Sequence, residues 1–171
     1  MKKKYEILFD TEKEVFGIKL YRIKALVSFG VIDKGTIGGY IEKEKNLSQS
    51  GNAWVSGNAF VSGNARVSGN ALVSGNTFVS DNAKVSDNAR VSGNARVSGN
   101  AGVCWFSKFG SLNRTTTAFK NQQNGITITC GCFIGTLEEF KKQVETTHRD
   151  NPKYLKEYLA IIEVIKVKFD L

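Results

Sequence analysis

The chain has 171 residues, 41% of them hydrophobic, with a single proline, a balance that supports a packed interior and argues against a disordered linker. The formal net charge of +8 is spread along the chain, with ten Lys/Arg against seven Asp/Glu in residues 1–46, four against two in 47–104 and ten against seven in 105–171, so no single basic module stands out. No apolar run reaches the roughly 18 residues of a membrane span, and the basic start Met1-Lys2-Lys3-Lys4 lacks the apolar stretch of a signal peptide, so a cytoplasmic protein with no membrane contact is expected.

In chain order, residues 5–9 and 17–26 alternate as strands do, and residues 10–14 between them read as a hairpin turn. A further extended stretch, 35–41, leads to the polar residues 42–46. Residues 1–46 are therefore expected to form an N-terminal β cap.

From Ala53 the sequence repeats every six residues: AWVSGN, AFVSGN, ARVSGN, ALVSGN, TFVSDN, AKVSDN, ARVSGN, ARVSGN, then AGVC. Leu47-Ser48-Gln49-Ser50-Gly51-Asn52 precedes these as a weaker copy. A period of six fits neither a helix nor a hairpin meander, but it fits a coil in which each hexapeptide supplies a short strand and a corner. The β-branched valine suits an inward strand position, and its neighbours then point outward. Gly-Asn or Asp-Asn accepts the unusual backbone angles of a corner, and alanine follows where only a small side chain fits.

This pattern resembles the hexapeptide repeat of left-handed parallel β-helices, best known from acyltransferases. The resemblance implies about three hexapeptides per coil, hence about three coils in residues 53–104 and a prism roughly 10–15 Å tall. Together with residues 20–39 and Asn46-Leu47-Ser48, the region 18–104 resembles YdcK-like bacterial and prophage β-helix proteins. So short a solenoid needs a cap at each end to cover its open strand edges.

Stacking at about 18-residue intervals places Trp54, Leu72 and Arg90 in one outward column, Phe60, Phe78 and Arg96 in a second, and Arg66, Lys84 and Gly102 in a third. Outward aromatics in two columns are poor candidates for solvent exposure. Trp54, Phe60, Leu72 and Phe78 are accordingly expected at a subunit or partner interface, or beneath the chain's own ends. Family analogy favours a homotrimer. Arg66, Lys84, Arg90 and Arg96 are the candidates for an anionic partner.

Residues 105–171 read as a separate α+β unit. Residues 105–109, 115–119 and 125–130 are expected as three strands, with a turn over 121–125. Thr136-Leu137-Glu138-Glu139 is a capping box that opens a helix to about His148, and Asn151-Pro152 opens a second one. In the latter, Leu155, Tyr158, Leu159, Ile162 and Ile165 form an apolar stripe. The run 129–140, with the segments around His148 and Tyr158, resembles a C-terminal module seen on phage repeat proteins. The expected architecture is thus mainly β: a β cap (1–46), a left-handed parallel β-helix (47–104) and a small α+β domain (105–171).

Acyltransferases of the β-helix type use a coil histidine as general base, whereas the one histidine here, His148, lies outside the repeat. No enzyme activity and no cofactor are expected. Cys104, Cys130, Cys132 and His148 are residue types that hold zinc in sets of four. A Cys-x-Cys within a strand, however, puts both thiols on one face, usually the buried one, which favours a structural role. The serine series from Ser56 to Ser98 lacks the paired threonines of ice-binding faces and is broken by Lys and Arg. The reading is a self-associating, non-enzymatic scaffold of phage or prophage origin that binds a host-defence protein or its nucleotide signal. An acyltransferase-like enzyme of nucleotide or sugar metabolism and a weak nucleic-acid binder are the alternatives.

Overall fold

The computed structural model describes residues 3–99, 102–121 and 125–171. Met1 and Lys2 of the basic start, Asn100 and Ala101 at the end of the repeat, and residues 122–124 of the expected turn lie outside the described residues.

Strands β1 (Tyr5–Val15) and β2 (Ile18–Ala25) form an antiparallel hairpin, and β3 (Ile37–Ile41) follows. Eight short rungs come next: β4 (Trp54–Val55), β5 (Phe60–Val61), β6 (Arg66–Val67), β7 (Leu72–Val73), β8 (Phe78–Ser80), β9 (Lys84–Val85), β10 (Arg90–Val91) and β11 (Arg96–Ser98). They stack in parallel at 18-residue intervals as β4-β7-β10, β5-β8-β11 and β6-β9, three faces of a β-solenoid.

The coil begins before residue 47. Tyr40 and Ile41 of β3 pair in parallel with Phe60 and Val61, so one face gains a first rung from the expected cap, and Leu47, the start of the expected repeat, bridges to Val67. The third column also differs from expectation, since it stops at Lys84. Gly102 instead accepts a hydrogen bond from the Lys120 amide at 3.1 Å.

Alanine is not confined to the corner. Ala53, Ala59, Ala65, Ala71, Ala83, Ala89 and Ala95 are as buried as the eight valines from Val55 to Val97, all at most 1% exposed. Residues i and i+2 of a strand share a face, so Ala and Val point inward together and the residue between them points out. Each buried valine contributes roughly 1.5–3 kcal/mol. Thr77, the one departure from alanine, satisfies its hydroxyl by donating to the Ser74 carbonyl at 2.6 Å.

At the corners, Gly51, Gly57, Gly63, Gly69, Gly75, Gly93 and Gly99 have φ between 63° and 76°, and Asp81 and Asp87 take the same conformation at 55° and 56°. The following asparagines do more than favour the turn. Asn52, Asn70 and Asn88 form a vertical amide ladder, as do Asn58, Asn76 and Asn94, with Nδ2···Oδ1 distances of 3.1–3.4 Å.

The hairpin closes the lower end by antiparallel pairing of β2 with β3. Its turn lies at Phe16–Gly17 rather than at residues 10–14, because those two residues carry the paired positive φ values, 53° and 75°, of a two-residue hairpin turn. The charged residues 10–14 instead form the exposed outer part of β1, where charge discourages edge-to-edge pairing. Below the coil, the Tyr5 hydroxyl donates to the Leu47 carbonyl at 2.7 Å and the Lys4 amine to the Ala53 carbonyl at 2.9 Å.

The upper end is closed by an antiparallel sheet in the order β12 (Val103–Phe109), β13 (Arg114–Lys120), β14 (Ile126–Cys130) and β15 (Phe133–Thr136). Helices α1 (Leu137–Thr147) and α2 (Pro152–Phe169) cover its other side, with the expected Thr136 capping box and Asn151 cap. Four strands are present where three were expected, because β15 is only four residues long and contains Gly135. Val103 and Phe119 join the solenoid core, while Tyr158, Ile162 and Ile165 sit in the second core. On the top rung, the Arg90 amide donates to the Thr117 hydroxyl at 3.2 Å and the Arg90 carbonyl accepts from the Thr129 hydroxyl at 3.0 Å. Two side-chain hydroxyls therefore replace the missing next coil.

Two stability predictions follow from the corners and the buried amine. A Cβ at Gly75 would lie 2.7 Å from the Gly93 carbonyl oxygen at a φ of 74°, so Gly75→Ala should cost about 1–3 kcal/mol in urea unfolding, whereas Asp87→Gly should gain up to about 1 kcal/mol. Burial lowers the Lys4 amine from 10.5 to about 8. The unfolded chain thus binds more protons between pH 8 and 10.5, and stability rises with pH across that window. Between pH 7.5 and 9.5 the thermal midpoint of the wild type should rise relative to Lys4→Met; a constant difference would refute the assignment.

Candidate functional site

The outward columns divide into a covered part and an open part. Trp54 is 1% exposed, in edge contact with Tyr5 (6.4 Å) and Phe29 (5.5 Å). Phe60 is 8% exposed and stands in an aromatic series with Tyr40 (5.4 Å) and Phe78 (4.9 Å). The hairpin lies over this series. Lys13 sits 5.0 Å from the Phe60 ring, Arg22 sits 4.4 Å from Tyr40, and Phe16 packs on Phe78 at 5.9 Å. Leu72 is half-buried beside the turn that joins β14 to β15. Of the two expectations for these residues, seating beneath the chain's own ends holds for Trp54 and Phe60, while Leu72 and Phe78 stay half-buried. The chain's own ends occupy these columns because an apolar column and an apolar cap bury one another at no cost in assembly.

Arg66, Lys84, Arg90 and Arg96 are all exposed, but on different faces. Arg96 continues the Phe60–Phe78 column, and Arg90 borders a cleft of about 230 Å³ with Thr129, Cys132 and Phe133. Arg66 and Lys84 are direct partners in the parallel ladder β6-β9. Like charges placed opposite one another in a sheet are mutually destabilising. Among the described residues neither has an acidic partner.

Below Arg66 lies an open groove of about 540 Å³, lined by Lys43, Lys45, Ser48, Gln49, Asn64 and Arg66 among others. The two lysines are held there by Asn46, which is fully buried. Its Oδ1 accepts from the Lys43 amide at 2.9 Å, and its Nδ2 donates to the Ala65 carbonyl at 2.9 Å. That single amide pins the short helical turn Glu44–Asn46 to a corner of the coil. The neighbouring acids are already engaged. Glu42 accepts from the Gly63 amide and pairs with Lys43 at 3.3 Å, and Glu44, which lines the groove, accepts from Gln49 and pairs with Lys3 at 3.3 Å. Hydrogen bonds from Gln49 and Lys3 hold the Glu44 carboxyl below its ordinary range. Lys43 and Lys45 escaped notice in the sequence because they precede the repeat; a Lys-Glu-Lys run reads as an ordinary solvated segment.

The profile of the YdcK β-solenoid repeat matches residues 59–75, 65–81, 83–99 and 89–104. Within residues 59–104 the chain is thus similar to YdcK β-solenoid repeats. The match covers neither the hairpin nor the C-terminal sheet and helices. A search of curated proteins returns no match. The lead-in that carries Lys43 and Lys45 thus lies outside the matched YdcK repeats, whereas Arg66 and Lys84 lie within them.

Beyond the YdcK solenoid, the two close cysteines do not share a face. Cys130 ends β14 and is buried, Gly131 turns the chain at a φ of 61°, and Cys132 is exposed in the turn. The Thr116 hydroxyl donates to the Cys130 sulfur at 3.3 Å, and the Tyr158 hydroxyl lies 3.9 Å from it. His148 stacks on Tyr158 at 5.2 Å. Burial raises the half-buried Cys104 thiol, against a smaller opposing effect of Lys168. Among the described residues no three His, Cys, Asp or Glu side chains converge as a metal site, and no helix is long and apolar enough to cross a membrane.

The stacked cations give a test that needs no ligand. Lys84→Glu places an opposite charge across from Arg66 and should raise stability by about 0.5–1 kcal/mol at low salt, an effect that fades in concentrated salt. A loss of stability in urea unfolding would mean that Arg66 and Lys84 do not repel one another.

Proposed function

We propose that this chain is a non-enzymatic binding scaffold whose solenoid presents the Arg66–Lys84 face, with Lys43 and Lys45 at its foot, to an anionic partner. The observation that carries the reading is the pair of like charges one coil apart, unanswered by any acid among the described residues and set above an open groove. Such an arrangement costs stability in the free protein, and an anion bound between the two side chains relieves that cost. A ligand with negative charges about 5 Å apart suits the spacing of successive rungs. Phosphates of a nucleotide and acidic side chains on a protein surface both meet that requirement.

The partner within this proposal is a host-defence protein or its nucleotide signal, and the phage-like resemblance of the flanks is its support. Self-association is no part of the proposal, because the chain's own N-terminal segment buries Trp54 and Phe60, and Leu72 and Phe78 alone are half-buried. A non-enzymatic role is supported by the position of the sole histidine, which packs against Tyr158 in the C-terminal domain, away from the groove.

Titration with ATP and with a cyclic dinucleotide, alongside capture of acidic host proteins on the immobilised chain, tests the reading. Arg66→Glu with Lys84→Glu should weaken binding at least about tenfold, and wild-type affinity should fall steeply between 50 and about 200 mM salt. Equal binding by the wild type and the doubly substituted chain would overturn it.

A further inference from the structure

We propose that the C-terminal domain carries a second, independent site: a pocket for a small, flat aromatic carboxylate, formed between α1, α2 and the turn from β14 to β15. The cavity measures about 300 Å³, at the lower end of the range for small-molecule sites and suited to a ligand of one or two fused rings. Its floor is aromatic. Phe133 and Phe140 lie 5.2 Å apart, Phe140 meets Tyr158 edge-on at 5.9 Å, and the His148 ring lies nearly parallel to Tyr158, with 16° between their planes. Phe140 and Tyr158 are buried, yet the space beside them is open, so these rings line a cavity as well as a core.

The polar groups around that floor favour a negative ligand. No Asp or Glu is among the described residues that line the cavity, whereas the Arg114 guanidinium does line it. Arg114 is exposed and has no ion-pair partner among the described residues. It packs against Gly131, where an added Cβ would lie 2.6 Å from Nη1, so the turn that separates the two cysteines leaves room for the cation. The Tyr158 hydroxyl lies 3.9 Å from the Cys130 sulfur and is packed against Gly110, while the Tyr158 ring lines the cavity. Burial first, then Cys130, pushes that hydroxyl up to about 12, and it stays protonated at neutral pH. A guanidinium beside stacked rings matches a planar group bearing a carboxylate.

The exposed Cys132 thiol lines the same cavity and serves as a reporter. Iodoacetamide should alkylate Cys132 in the native protein, with the modified residue identified by peptide mass spectrometry. Benzoate, 4-hydroxybenzoate and indole-3-carboxylate at about 1–10 mM should slow that alkylation, whereas the neutral isostere benzamide should not. Arg114→Met should weaken carboxylate binding about tenfold or more, measured by the same protection and by ligand-observed NMR. The Arg66→Glu variant should bind as the wild type does, which separates this site from the solenoid face. Protection by none of the three carboxylates, equal protection by benzamide, or undiminished binding to a folded Arg114→Met chain would each overturn the proposal.

Discussion

A residue at positive φ every six positions is the constraint on which the rest of the structure depends. Each coil must turn three corners, and an L-residue with a bulky side chain resists the left-handed conformation by about 1–2 kcal/mol. Seven glycines and two aspartates take that conformation from Gly51 to Gly99, at φ values of 55–76°. Glycine also lets successive corners stack. A Cβ at Gly69 would stand 2.7 Å from the Asp87 amide nitrogen, and one at Gly51 would stand 2.5 Å from the Gly69 carbonyl oxygen. With the corners placed, Ala and Val need only alternate inward for the core to close, and the asparagine ladders tie one coil to the next.

A prism of three coils leaves open rungs at both ends, and the chain closes them by different means. At the bottom, a hairpin extends one face by antiparallel pairing, and Tyr5 and Lys4 reach under the coil to its carbonyls. At the top, Thr117 and Thr129 supply hydroxyls to the last rung of another face, because the C-terminal sheet crosses there and offers no backbone in register. The outward positions follow this division. Two columns run upward from apolar to cationic, Trp54–Leu72–Arg90 and Phe60–Phe78–Arg96, and the hairpin end covers their apolar lower members Trp54 and Phe60. The third column, Arg66–Lys84, is cationic throughout and lies beneath neither cap. Its charge therefore has no structural use within the chain, which is why the binding proposal rests on it.

The C-terminal domain obeys different rules. Its four strands and two helices are held by a conventional core, and its turn at Gly131–Cys132 does three things at once. It reverses the strand, separates a buried thiol from an exposed one, and leaves space for the Arg114 side chain.

While the resemblance to hexapeptide-repeat β-helices supplied the 18-residue coil, the sequence by itself determined the six-residue period, the inward valines and the two C-terminal helices with their caps. Each of these depends on residues close in the chain or on strict repetition, so local chemistry was enough. Only the tertiary structure decided the fate of Trp54 and Phe60, the entry of β3 into the coil, and the joining of Lys43 and Lys45 to Arg66. An outward aromatic looks the same in sequence whether a second chain or the chain's own hairpin covers it, since burial is a property of neighbours distant along the chain. The hairpin turn shows the same limit at short range. Five polar residues suggested it, but the two positive φ values at Phe16–Gly17 placed it further on.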